Sequence, residues 1–116
     1  MGLKTKNYEV KKLGIVLPEA YAMVKDLVVQ GHTGYANIIV QSSRENAQKV
    51  VDGTMSALEE VRVDFTVNRD ENDRATAYAV AKSYRQEKRF NAKSMKTEDV
   101  MIYMPFVGWE DDIAEV

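Results

Sequence analysis

The single histidine, His32, lies in Gln30-Gly31-His32-Thr33-Gly34. As a general base or a metal ligand it would ordinarily be joined by a second histidine, a cysteine or a convergent carboxylate. The chain has no cysteine, and two glycines flank the site, so His32 reads as a solvated turn residue. Serines stand at 42, 43, 56, 83 and 94, none inside the Gly-x-Ser-x-Gly elbow that exposes a nucleophile. The six glycines are spread singly, which leaves neither a Gly-x-x-x-x-Gly-Lys phosphate loop nor a Gly-x-Gly-x-x-Gly turn. Asn68, Asp70, Asn72 and Asp73 imitate the start of a calcium loop. Counting from Asn68, however, the sixth position is Asp73 where a glycine is needed, and the twelfth is Ala79 where a bidentate glutamate is needed. With 18 acidic residues, chance carboxylate pairs are expected. Glu60 and Asp64 fall on the polar side of an alternating run, where charge keeps a strand soluble and discourages edge pairing. A carboxylate hydrolase therefore ranks third among the readings, and no catalytic, cofactor-binding or metal-ligating residue is assigned.

The elements that would carry these side chains are mostly strands. Apolar residues at Tyr8 and Val10, then at Leu13, Ile15 and Leu17, predict a strand over 7–17, with a bulge or bend near Lys11–Lys12 where the phase changes. Pro18 is expected to end it. Tyr21–Val29 and Tyr35–Ser42 are β-branched runs around the glycine-flanked loop and predict a β-hairpin. Ser42 with Glu45 three residues on is a capping-box pattern, and Asp52-Gly53 closes a short helix over 43–51. Over 59–68, Val61, Val63, Phe65 and Val67 alternate with Glu60, Arg62, Asp64 and Thr66, which predicts a half-buried strand. Alanines at 75, 77, 79 and 81 favour a helix over 74–85, with Ala77, Val80, Ala81 and Tyr84 on one face and Asn72 or Asp73 as cap. The same stretch alternates enough to be a strand. Strands over 86–90 and 98–107 around a polar turn complete the chain, the second an edge strand because of Pro105. The expected fold is α+β in a single domain over 1–116. Its antiparallel sheet of five to seven strands would form a sandwich or a partly open barrel, with one or two short helices. The βαβ alternation of nucleotide-binding folds is missing.

Composition agrees with a folded domain: 45% of the 116 residues are apolar and 29% charged. The absence of cysteine excludes disulfides and thiolate sites and fits synthesis in a reducing cytoplasm. The charged N-terminus does not read as a signal peptide, and no stretch approaches the roughly 20 apolar residues of a membrane span. The net charge of −2 is unevenly distributed. A basic arm over 1–12 carries Lys4, Lys6, Lys11 and Lys12 against Glu9, a net +3. Residues 98–116 carry six acids and no Lys or Arg. A looser basic group, Arg85, Lys88, Arg89, Lys93 and Lys96, includes Tyr84 and Phe90 and suggests a base-stacking surface. A solvated charged hairpin is the plainer account of it.

The acidic tail over 108–116 places the sole tryptophan, Trp109, before Glu110, Asp111, Asp112 and Ile113. Either Trp109 folds onto its own core, or Trp109 and Ile113 anchor on a neighbouring copy, as tryptophan often does. Lys4, Lys6, Lys11 and Lys12 would then meet Asp111 and Asp112 between copies, giving rings or tubes if the contact is heterologous. The same ends also have the charges to pair within one chain.

Leu17-Pro18-Glu19-Ala20-Tyr21, Ser43-Arg44-Glu45-Asn46, Phe65-Thr66-Val67-Asn68-Arg69, Ala77-Tyr78 and Met104-Pro105-Phe106-Val107-Gly108-Trp109 are spread over nearly the whole chain. In these short segments it resembles small proteins from the structural-gene clusters of tailed phages and prophages of Gram-positive bacteria. The resemblance implies a capsid-, neck- or tail-associated role, many identical copies, other virion proteins as further partners, and no cofactor. The expectation is a non-enzymatic, self-associating assembly protein. A cytosolic module binding nucleic acid or another protein is the alternative.

Overall fold

The computed structural model describes residues 1–112. Four strands run as an antiparallel meander: β1 (Gly2–Val10), β2 (Ile15–Gln30), β3 (Thr33–Gln41) and β4 (Glu59–Thr66). A short final strand, β7 (Glu110–Asp112), returns beside β1, so the sheet order is β4-β3-β2-β1-β7. Helices α1 (Arg44–Val51) and α2 (Asp73–Ala81) precede and follow β4. β5 (Tyr84–Asn91) and β6 (Lys96–Tyr103) form a separate two-stranded ribbon. The chain is thus α+β, with seven strands in two antiparallel sheets and two helices among the described residues, and the larger sheet does not close into a barrel.

The first predicted strand is in fact a hairpin. Residues 11–14 form a turn, with Gly14 at φ +64°, so the change of phase at Lys11–Lys12 marks a reversal of the chain and not a bulge. Nor does Pro18 end a strand. It lies within β2, in the part that pairs with β1 alone, where the other edge needs no donor. Asn7, opposite it between the pairs Lys6↔Glu19 and Tyr8↔Leu17, takes a left-handed φ of 54°. The β2–β3 hairpin is as expected but tighter, with Gln30 paired to Thr33 and only Gly31-His32 in the loop. Gly31 at φ +65° supplies the first central position of that turn, which a side chain would strain.

The sheet is covered on both faces. Tyr21, Met23 and Ile39 pack under Ala47 and Val50 of α1. On the opposite face, Ala22, Val24, Ile38, Val40, Val63 and Phe65 meet Ala77, Tyr78 and Ala81 of α2. Hence Ile38-Ile39-Val40 is buried throughout, although alternate residues point opposite ways. Helix α1 is capped by Ser43, whose hydroxyl accepts the Asn46 N–H at 3.1 Å. The expected cap, Ser42, instead accepts a side-chain bond from Asn46. Asn72 caps α2 by accepting from the N–H groups of Arg74 and Ala75. That helix stops at Ala81, so Tyr84 belongs to β5 and is exposed, and Tyr78 is the buried aromatic.

Tyr78 also closes an irregularity in the sheet. The register of β2 shifts between Val24 and Asp26, and the Val24 N–H donates to the Tyr78 hydroxyl at 2.7 Å. Burial raises the Tyr78 pKa, which keeps the phenol neutral.

Candidate assembly interface

Of the tail residues singled out in the sequence, Trp109, Asp111 and Asp112 are bound within their own chain. Trp109 is 8% exposed, with its ring edge-on to Phe106 at 4.9 Å and to Tyr8 at 5.1 Å between centroids. The turn over 105–108, with Gly108 at φ +84°, brings it back onto the sheet. Its ring is thus packed in the core of its own chain, the first of the two placements its sequence position allowed. Lys4 pairs with Glu110, Leu3 with Asp111 and Gly2 with Asp112 across the β1–β7 ladder. The Asp111 carboxylate also meets the Lys82 ammonium at 2.6 Å. The basic arm and the acidic tail therefore join within one molecule, and the arm is a sheet strand. Asp112 is buried near the Tyr21 hydroxyl, whose pKa is raised first by burial and then by that carboxylate. Lys6 is exposed on β1, and Lys11 and Lys12 are exposed in the following turn. Ile113 lies outside the described residues.

The other chemical candidates stay apart. His32 is exposed at its hairpin tip. Glu60 pairs with Lys25 at 3.4 Å and Asp64 with Arg62 at 3.2 Å, both on the solvent side of β4. Asn68 accepts from the Asp70 N–H in a local turn, and Asn72 is committed to its cap. Among the described residues no group of three His, Cys, Asp or Glu is placed to hold a metal ion.

The expected hairpin near the end of the chain is a ribbon separate from the main sheet. Each strand has eight residues, about 27 Å of chain. Its base is tied to α2 by the Met104 N–H on the Ser83 carbonyl and the Phe106 N–H on the Ala81 carbonyl. Beyond that the two strands contact chiefly each other. The radius of gyration, 16.1 Å, exceeds the roughly 13 Å of a compact chain of this length, as a projecting element requires.

Directly opposed residues share a face, and the pairs are Tyr84↔Tyr103, Gln86↔Met101, Lys88↔Asp99 and Phe90↔Thr97. All eight are exposed. Tyr84, Phe90 and Tyr103 are each about 60% exposed, and the two tyrosines touch at 6.0 Å between centroids. Met95, 74% exposed, stands in the ribbon's turn.

The opposite face is different. Arg85 and Arg89 both pair with Glu87, at 2.9 and 3.3 Å, beside the half-buried Val100 and Ile102. Asn91 and Ser94 donate to Glu98. The predicted alternation Val100, Ile102, Met104, Phe106 picked out this better-covered side. It also ran past the strand's end at Tyr103, so that Pro105 falls in the following turn. The exposed aromatic face lies in the opposite phase, in residues 84, 86, 88, 90 and 97, 99, 101, 103.

No family model, curated protein or solved structure matches the chain. Among the described residues no helix is long and apolar enough to cross a membrane.

Proposed function

We propose that this chain is a non-enzymatic assembly protein that associates with copies of itself, with a phage or prophage virion as its setting. The observation that carries the reading is the Tyr84–Tyr103–Phe90 face of the ribbon. A two-stranded ribbon is at best marginally stable alone in water, and one carrying three exposed aromatics gains from being covered. Virion assembly from many copies is what the resemblance of the short segments implies. Synthesis in the cytoplasm, incorporation into a virion and contacts with other virion proteins belong to the same proposal.

The nucleic-acid alternative draws on the basic residues of the ribbon. Arg85 and Arg89 lie on the face away from the aromatics and are engaged by Glu87, while Lys88 on the aromatic face stands opposite Asp99. The stacking face therefore carries no excess positive charge, which weakens that alternative.

Light scattering after size exclusion, run from low to high micromolar concentration, tests the proposal. A defined oligomer whose population grows with concentration is expected. A monomer throughout, or a monomer that binds single-stranded DNA in a salt-sensitive manner, would overturn it.

A further inference from the structure

We infer that the first contact between copies is a twofold dimer in which two ribbons lay their Tyr84 faces together, the axis running along the strands. This deepens the self-assembly reading and rests on it. Such an axis sets β5 of one copy over β6 of the other and keeps each row in register. Tyr84 then meets the partner's Tyr103, Gln86 meets the partner's Met101, Lys88 meets the partner's Asp99, and Phe90 meets the partner's Thr97. Every contact occurs twice, as an isologous interface demands.

The charges select this axis. An axis across the strands sets Lys88 against the partner's Lys88 when equal rows meet. Staggered by one row, it sets Asp99 against the partner's Met101. Both leave a charge without its opposite at the interface, whereas the chosen axis pairs all four. Edge-to-edge pairing would leave the aromatic face in water.

The area comes close to what a specific dimer needs. Three aromatics about 60% exposed leave roughly 350 Å² of ring surface per copy. Two such faces, with Met95, Met101 and the polar members of each row, approach the roughly 1,200 Å² at which specific interfaces begin. The opposite face, its arginines already tied to Glu87, offers no comparable apolar surface.

The test uses full-length Lys88→Asp and Asp99→Lys, separately and as an equimolar mixture, with dimer measured by sedimentation equilibrium. Lys88 and Asp99 are also neighbours within one ribbon, so each variant alone changes both the ribbon and the contact. Mixing repairs only the contact between copies, because each chain keeps its like-charged pair. Replacing two ion pairs by two repulsions should weaken each variant's own dimer about tenfold. The mixture should recover most of the wild-type affinity as a heterodimer. A second variant, Phe90→Ser with Tyr103→Ser, leaves the charges alone and should be monomeric with the main sheet intact. If the wild type dimerises and the mixture associates no better than its components, or the serine variant dimerises as the wild type does, this contact is wrong while self-assembly stands. If the wild type itself stays monomeric, both fail.

Discussion

Replacing Trp109 with alanine separates the two roles its sequence position suggested. The indole is 8% exposed and edge-on to both Tyr8 and Phe106. Truncating a buried tryptophan costs about 3–5 kcal/mol in lost transfer energy and cavity. The two aromatic contacts, worth about 0.5–1.5 kcal/mol each, fall within that sum and place the expected loss near 4 kcal/mol. For a chain of this length, total stability is on the order of 6–17 kcal/mol, so the variant should fold but with a quarter or more of its margin gone. The melting temperature should fall by about 15 °C. Urea unfolding is to be followed by far-ultraviolet circular dichroism, since the only tryptophan has been removed. The midpoint should drop with the slope unchanged, equally at dilute and concentrated protein. A loss below about 1 kcal/mol would refute the burial argument. A loss that appears only at concentrations where copies associate would place Trp109 at the contact after all.

Tyr78→Phe removes the acceptor for the Val24 N–H while keeping the ring, and leaving that buried donor unpaired should cost about 1–3 kcal/mol in urea unfolding. A change under about 0.5 kcal/mol would mean that the irregular β2 register does not depend on this hydroxyl. Tyr8 donates to the Glu59 carboxylate, and burial, then that hydrogen bond and charge, push its pKa up to about 12. Because the folded value lies above the unfolded value of about 10, the neutral phenol's contribution is complete below pH 10 and disappears as pH rises towards 12. Tyrosinate absorbance should therefore show several groups titrating late, Tyr21 and Tyr78 among them, with one fewer in Tyr8→Phe, and an unchanged titration in that variant would contradict the assignment.

Elements with a strong local signal were legible in the sequence. The β4 alternation and the β2–β3 hairpin stand where expected, because a half-buried face and a glycine turn are local demands. Both helices were likewise found, although the cap of α1 shifts from Ser42 to Ser43, since two adjacent serines present the same chemistry one residue apart. The β1–β2 turn was hidden because Lys11-Lys12-Leu13-Gly14 carries a single turn-forming glycine, and the change of apolar phase allowed either a bulge or a reversal.

The candidate site shows where local reasoning ends. Complementary charge at the two ends was correctly seen, but whether ends meet within or between chains depends on the sheet order, which places β7 beside β1. A lone tryptophan before three acids left both its own core and a neighbouring copy open, and the turn at Gly108 brings it back onto its own core. The aromatic face of the ribbon was missed because each strand shows only half of it. Tyr84 and Phe90 become neighbours of Met101 and Tyr103 only through the pairing register.

The most direct test of the central claim, that copies associate through the ribbon, is hydrogen exchange on the full chain at dilute and concentrated protein. Amides in 84–103 are expected to slow markedly as concentration rises, while those of β2 and β3 keep their rates. Ribbon amides that exchange at the same rate at both concentrations, in a sample that light scattering shows to be associated, would contradict it.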